Sequence, residues 1–274
     1  MARSSIRIGN QTSSHVPAHL PFEFAMKNGF TAFEWFSDPG SAGWSEANTN
    51  LPTRHQWRRA SIDHDIAFSV HAPFTSDPTT VAGATSIRRS FDFAADVGAR
   101  SVNVHMLSEP RAEAFAEAVA VLLNNVRDSG VVLTLENTPT TSPELFNAMF
   151  RAFVKLPEVT NSIGMCLDTG HANLYAETKN DYIRFVDRLE DHVPIVEWHA
   201  HENWGDRDSH LTLFTGPAAH DSTGLQLLIR RLLKRGFCGS IILEQWPSPP
   251  ELLVTAAERL RGLISACTDS IASE

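Results

Sequence analysis

The stretch Ile163-Gly164-Met165-Cys166-Leu167-Asp168-Thr169-Gly170-His171 decides the fold. Its first six residues alternate. Met165 and Leu167 are large and apolar, while Gly164, Cys166 and Asp168 are small or acidic. Successive side chains of an extended chain point to opposite faces. The large set therefore faces a layer of helices, and the small and acidic set faces an interior, with an acid at the C-terminal end.

Working outward, seven more short runs read as strands: residues 6–9, 32–35, 67–71, 101–105, 131–136, 195–199 and 240–244. The same alternation recurs. Ala67, Ser69 and His71 oppose Phe68 and Val70; Ser101, Asn103 and His105 oppose Val102 and Val104; Thr134 and Glu136 oppose Leu133 and Leu135. From the second strand onward the last acid or histidine is Glu34, His71, His105, Glu136, Asp168, His199 and Glu244, at intervals of 37, 34, 31, 32, 31 and 45. Each interval fits one βα unit. Eight such units close as an α/β fold of the (β/α)8 TIM-barrel type. An open doubly wound sheet gives no reason for nearly every strand to end in an acid or histidine. Helical patterns fall between the strands at 85–97, 110–129, 143–156, 181–190, 224–235 and 249–266. Ser142-Pro143-Glu144 opens one of them with a cap, a proline and an acid, and Gly98 and Gly236 close two others. The least regular part is 201–224, and a long βα loop is often functional.

Composition agrees. The 274 residues are 42% hydrophobic and 20% charged, which excludes a disordered chain and suits a single barrel domain over 1–274. No run of 18 apolar residues exists to span a membrane, and Met-Ala-Arg-Ser-Ser at the start is no signal peptide. Three cysteines without a C-x-x-C spacing lead us to expect a reducing cytoplasm. A net charge of −9 is a poor starting point for nucleic-acid binding.

The alternation sends the polar set to the barrel axis, so the strand-end groups converge at the C-terminal mouth, where barrel enzymes keep their chemistry. Collected there are His71, His105, Glu136, Asp168, His171, His199, Asp208, His210 and Glu244, joined by Glu34. Carboxylates and imidazoles at this density need compensation when buried. Divalent metal is the natural one, and mixed N/O ligands suit Zn2+ or Mn2+, as well as Co2+ or Fe2+. His15, His19, His55, His64, His192 and His220 read as ordinary structural or surface histidines.

The chain resembles the xylose-isomerase-like barrel superfamily, which includes endonuclease IV, inosose-type isomerases and ketose 3-epimerases. Gly164-Met-Cys-Leu-Asp-Thr-Gly-His171 is similar to an endonuclease IV signature along its whole length. Further matching pieces are Ser69-Val-His-Ala-Pro-Phe74, Asn103-Val-His105, Leu135-Glu-Asn-Thr138, Trp198-His-Ala-His-Glu202, Asp208-Ser-His-Leu211 and Ile242-Leu-Glu244. The resemblance implies one metal between Glu136, Asp168, His199 and Glu244. His199 satisfies the family's His-x-x-Asp/Glu pattern with Glu202, and His201, of the same strand parity, competes with it. In endonuclease IV a trinuclear site adds ligands matching His71, His105, His171, Asp208 and His210. One to three ions are therefore expected.

Two chemistries follow. The first is isomerisation or epimerisation of a sugar or sugar phosphate through an enediolate, with Glu136 and Glu244 as the acid/base pair. Glu34, Phe74, His201, Glu202, Arg207 and Trp246 would line the substrate, and Trp35 would join them only if its strand had already ended. The first is the expected activity; the alternative is phosphodiester hydrolysis of the endonuclease IV type, with nucleic acid as substrate. The chain departs from both patterns. Ser142 and Gly205 stand where ketose 3-epimerases carry a second glutamate and an arginine. The loop after His71 lacks the tyrosine-leucine wedge of the repair enzymes. Arg54 with Arg58-Arg59, and Arg88-Arg89, read as solvated helix faces. No ligand position holds an apolar residue, which favours turnover over mere binding.

Overall fold

The computed structural model describes residues 6–37, 45–107, 111–126, 129–156 and 159–273. Eight parallel strands close into a barrel in chain order: β1 (Arg7–Gln11), β2 (Ala32–Phe36), β3 (Ala67–His71), β4 (Ser101–His105), β5 (Val132–Glu136), β6 (Ile163–Asp168), β7 (Ile195–Ala200) and β8 (Ser240–Leu243). The expected barrel is the observed one. Between the strands run α1 (His19–Lys27), α2 (Leu51–Asp63), α3 (Val81–Val97), α4 (Ala112–Val126), α5 (Pro143–Phe153), α6 (Thr169–Leu174), α7 (Tyr182–Asp187), α8 (Thr223–Lys234) and α9 (Leu252–Ala272). Of the helix expected at 110–129, Pro110 and residues 127–128 lie outside the described residues.

Register sets the strand-end groups side by side. His105 pairs with Glu136, and Asp168 with His199. One irregularity interrupts the ladder. Met165 pairs with Ile195 but Cys166 pairs with Glu197, so Val196 is an extra residue in β7. Gly164 accommodates it: a Cβ there would lie 2.4 Å from Val196 Cγ2.

The large apolar residues face the helices as the alternation requires. Trp35 is fully buried and stacks on Trp57 of α2 with centroids 4.0 Å apart, edge-on to Phe33 and Phe68. It is core, not a substrate wall. Arg54 binds Asp96 at 2.8 Å and lies over the Phe93 ring, while Arg88 donates to Thr85 in its own helix. These arginines brace helices. Among the described residues no helix is long and apolar enough to cross a membrane.

Candidate metal centre

Glu136 closes β5 with its side chain fully buried. Four imidazoles surround its carboxylate: His71 Nε2 at 3.3 Å, His105 Nε2 at 3.2 Å, His171 Nδ1 at 3.3 Å and His199 Nδ1 at 3.2 Å. Asn103, one inward position below His105, donates its amide to the same carboxylate. Burial alone would raise the pKa of Glu136, but His105, His199 and His171 outweigh it and hold the carboxyl well below its usual range.

The ring orientations argue for cations. His171 Nδ1 faces the Asn137 carbonyl at 2.8 Å, and His210 Nδ1 faces the Glu244 carbonyl at 3.2 Å. A carbonyl only accepts, so each Nδ1 carries the hydrogen. In a neutral ring Nε2 is then a lone pair. Both of these Nε2 atoms point at Asp208 Oδ2, at 3.1 Å each. A lone pair facing a carboxylate at that distance needs a proton or a metal between them. His71 repeats the arrangement, with Nδ1 on the Ala72 carbonyl at 2.6 Å and Nε2 only 3.1 Å from His105 Nε2. Backbone carbonyls fixing ring tautomers are the usual outer support of metal-binding histidines. Without metal the cationic form fills the role. Burial opposes it, yet Asp208, Glu244 and Asp168 push His210 up to about 9. Burial likewise opposes a charged His171, but Asp168, Asp208 and Glu136 hold it well above its ordinary value.

Among the described residues several groups place one donor atom from each member within 4.8 Å of the others. They include His171, His201, Asp208 and His210; His71, Glu136, His199 and Glu244; Glu136, Asp168 and His171; and Asp168, His201 and Glu244. Eight of the nine expected ligand positions fall in these groups, and His105 joins them through its contacts with Glu136 and His71. The two seventh-strand histidines divide it. His201 Nε2 lies 3.0 Å from Asp168 Oδ2 and 3.7 Å from Glu244 Oε2. His199 sits deeper, with Nδ1 3.0 Å from Glu244 Oε1 and Nε2 3.3 Å from Glu34 Oε2. His201 therefore shares a group with Asp168 and Glu244, whereas His199 is grouped with His71, Glu136 and Glu244.

The other expected substrate residues scatter. Glu34 lies on the floor, accepting from Ser69 Oγ at 3.1 Å. Glu202 turns away and accepts the backbone N–H groups of Phe214 at 3.1 Å and Gly216 at 2.8 Å, pinning the loop that carries Asp208 and His210. Phe74 is 53% exposed after β3, and Arg207 is exposed beside Asp208. Trp246 packs edge-on against Phe24 and lines a cavity of about 360 Å³ over Glu244 and His210. Gln11, Thr12, Ser13, Ser14 and His15 line the same cavity. Sequence reading missed them because polar Asn10 and Gln11 ended the apolar run while the strand continues to Gln11.

Glu197 was also missed, although it shares His199's parity. It lies one layer below the centre, where Ser101 Oγ donates to it at 3.3 Å. Burial, reinforced by Glu34, raises its pKa from 4.5 to about 7. A raised buried acid is destabilising once ionised, so this site costs stability as pH climbs from about 4.5 through 7. Glu197→Gln should melt higher than wild type in metal-free protein at pH 8, with the gap closing by about pH 5. Thermal melts across pH check this; a gap that does not vary with pH would refute the assignment.

A family model, the xylose isomerase-like TIM barrel, matches residues 22–263. A comparison with curated proteins finds no match. Among solved structures, the chain is similar to a D-tagatose 3-epimerase-like protein, at 20% identity and a TM-score of 0.74, covering 97% of this chain and 100% of that one. It is similar to endonuclease IV from Thermus thermophilus, at 21% identity and a TM-score of 0.67, covering 95% and 99%. It is also similar to an IOLI protein with a bound zinc atom, at 15% identity and a TM-score of 0.64, covering 95% and 99%. With the model matched over most of its length, the chain belongs to the xylose isomerase-like TIM barrel family.

Proposed function

We propose that the protein is a multinuclear-metal-dependent hydrolase of phosphoester bonds in a small substrate. The observation that carries this is the continuous cluster in which ring nitrogens fixed by backbone carbonyls aim lone pairs at shared carboxylates. His71, His105 and Glu136 would hold one ion. Glu136, Asp168, His201 and Glu244 would hold a second, and His171, Asp208 and His210 a third. Zinc suits these ligands and is bound by the related IOLI protein. Bound there, divalent ions supply Lewis acidity and neutralise charge developing on phosphoryl oxygens.

The protein's own residues do the positioning. Asn103 orients Glu136, and Asn137 grips the Asp168 backbone through both its amide atoms, at 2.8 Å each. Glu202 fixes the loop bearing Asp208 and His210. The cavity lined by Gln11, Ser13, Ser14 and His15 opens onto Glu244 and receives the substrate. A small substrate is favoured over a polynucleotide because the net charge is −9 and Arg54 and Arg88 are bonded to Asp96 and Thr85.

Metal content and turnover test this together. Zinc-loaded protein should retain about three ions per chain, and Asp208→Ala should lose about one. Activity should appear on bis(p-nitrophenyl) phosphate and exceed that on abasic-site DNA. Retention of a single ion would defeat the proposal.

One observation favours a second reading, sugar isomerisation or epimerisation. Glu136 and Glu244 approach the same His199 Nδ1, at 3.2 and 3.0 Å, and so lie near enough to each other to serve as an acid/base pair. Under that reading one ion suffices, Asp208→Ala keeps turnover, and a ketose panel gives product.

A further inference from the structure

Below the mouth centre lies a second set of donors that the phosphoester reading does not use. Cys166, Glu197 and His199 each place one donor atom within 4.8 Å of the other two, and all three residues are buried. None of them is a ligand of the three ions placed at the mouth.

The bulge in β7 builds this set. Cys166 faces inward on β6. In a regular ladder continuing from Met165 and Ile195 its neighbour would be Val196. The extra residue puts Glu197 opposite Cys166 instead, and His199 opposite Asp168. A thiol, a carboxylate and an imidazole from two adjacent strands thereby share the inward face.

The polar atoms around them lack partners. Ser69 donates to Glu34 Oε1 at 3.1 Å, and Ser101 donates to Glu197 Oε2 at 3.3 Å. The other oxygens, Glu34 Oε2 and Glu197 Oε1, are buried without a hydrogen-bond partner among the described residues, and so are both ring nitrogens of His199. Carboxylates do approach the ring. Glu244 Oε1 is 3.0 Å from Nδ1 and Glu34 Oε2 is 3.3 Å from Nε2, but both lie off the directions in which those nitrogens bond. Protein interiors pair nearly all buried polar atoms. Four orphans around one imidazole call for a partner that is not a protein group.

The donor types select that partner. Sulfur, nitrogen and oxygen together suit a borderline-soft divalent ion of the zinc type, whereas Mg2+ and Ca2+ take oxygen. With His199 neutral, one thiolate and one carboxylate cancel the two charges of the ion, which offsets the cost of burying them. Tetrahedral coordination holds donors about 3.5 Å apart, so small side-chain rotations bring the three onto one ion. Binding replaces the S–H bond by a metal–sulfur bond and releases the thiol proton to solvent.

We propose that Cys166, Glu197 and His199 bind a divalent ion of the zinc type on the barrel floor, in addition to the ions at the mouth. With His199 Nε2 on this ion, the ring hydrogen stays on Nδ1, facing Glu136 and Glu244, so the floor ion also braces the mouth centre. The proposal does not rest on the phosphoester reading, whose ligands include no sulfur.

Sulfur makes the test specific. The full chain is produced with Co2+ as the only added transition metal, because a closed site fills as the protein folds. Cobalt bound by thiolate shows a sulfur-to-metal charge-transfer band in the near ultraviolet that nitrogen and oxygen ligands do not give. Wild type should show the band of one thiolate. Cys166→Ser should lose it, and Cys238→Ser, at an exposed thiol, should keep it. Asp208→Ala, which removes a ligand at the mouth, should keep it too. If Cys166→Ser does not fold, cadmium NMR of wild type decides. One resonance shifted downfield by a single sulfur is expected, and resonances of nitrogen and oxygen sites alone would overturn the proposal. So would a wild type without the band, or a band that survives Cys166→Ser. A single retained ion that carries the band would keep this inference while removing the phosphoester reading. Three ions without the band would do the reverse.

Discussion

Glu136→Gln should lose at least two of the three ions proposed above and about a thousandfold or more of the proposed turnover, while keeping its fold. The substitution preserves shape and removes charge. Four imidazole nitrogens lie 3.2 to 3.3 Å from the carboxylate, and they belong to three of the surrounding strands and to α6. An amide offers one acceptor oxygen and turns N–H donors toward the remaining rings. It also sets an N–H against the Asn103 amide, which now donates to a carboxylate oxygen. Unpairing a buried ionic network costs about 3–5 kcal/mol. The metal-free variant should therefore melt lower than metal-free wild type. Elemental analysis, thermal melts and initial rates on one preparation check this. Full metal occupancy in the variant would mean that Glu136 is not shared between ions.

Gly170→Ala should be nearly as damaging, through one methyl group. Gly170 lies in the first turn of α6, and a Cβ there would fall 1.9 Å from His201 Cε1 and 2.4 Å from its Nδ1. The backbone cannot retreat, because the Asn203 amide grips the Gly170 carbonyl and the Asp168 side chain caps the helix through the His171 N–H at 2.6 Å. The imidazole must move instead and surrender its 3.0 Å approach to Asp168. Overpacking of this kind costs about 1–3 kcal/mol, and we expect a loss of activity of about a hundredfold. The decisive comparison is a double-mutant cycle. In a His201→Ala background the three atoms nearest the added methyl are gone, so the double variant should be no worse than His201→Ala alone. Additive losses would show that Gly170 acts on something other than His201.

The barrel was legible because from the second strand onward each strand carries an acid or histidine at or near its C-terminal end that alternation directs inward, and those same residues make the cluster. What was not legible has physical reasons. Helix α2 buries only Ser61, so Leu51–Asp63 carries no apolar stripe to read. Helix α1 contains Pro21 near its start, which breaks the usual signal. Parity turns both His199 and His201 inward and the pattern with Glu202 selected His199; the structure sets His199 deeper, beside Glu34, and His201 beside Asp168. The Thr12–His15 segment belongs to a loop whose path is set by tertiary packing rather than by local period, and Gln11 ends β1 beside it.

The extra residue in β7 ties two positions on neighbouring strands together. Val196 occupies the volume that a side chain at Gly164 would need. Deleting Val196 alone leaves a void over a glycine, and enlarging Gly164 alone produces a collision. Either step is harmful by itself and the two together restore a regular ladder, so the positions are epistatic with opposite sign. An alignment that counts β7 from its start rather than its end slips by one residue here and exchanges inward for outward positions across Glu197, His199 and His201.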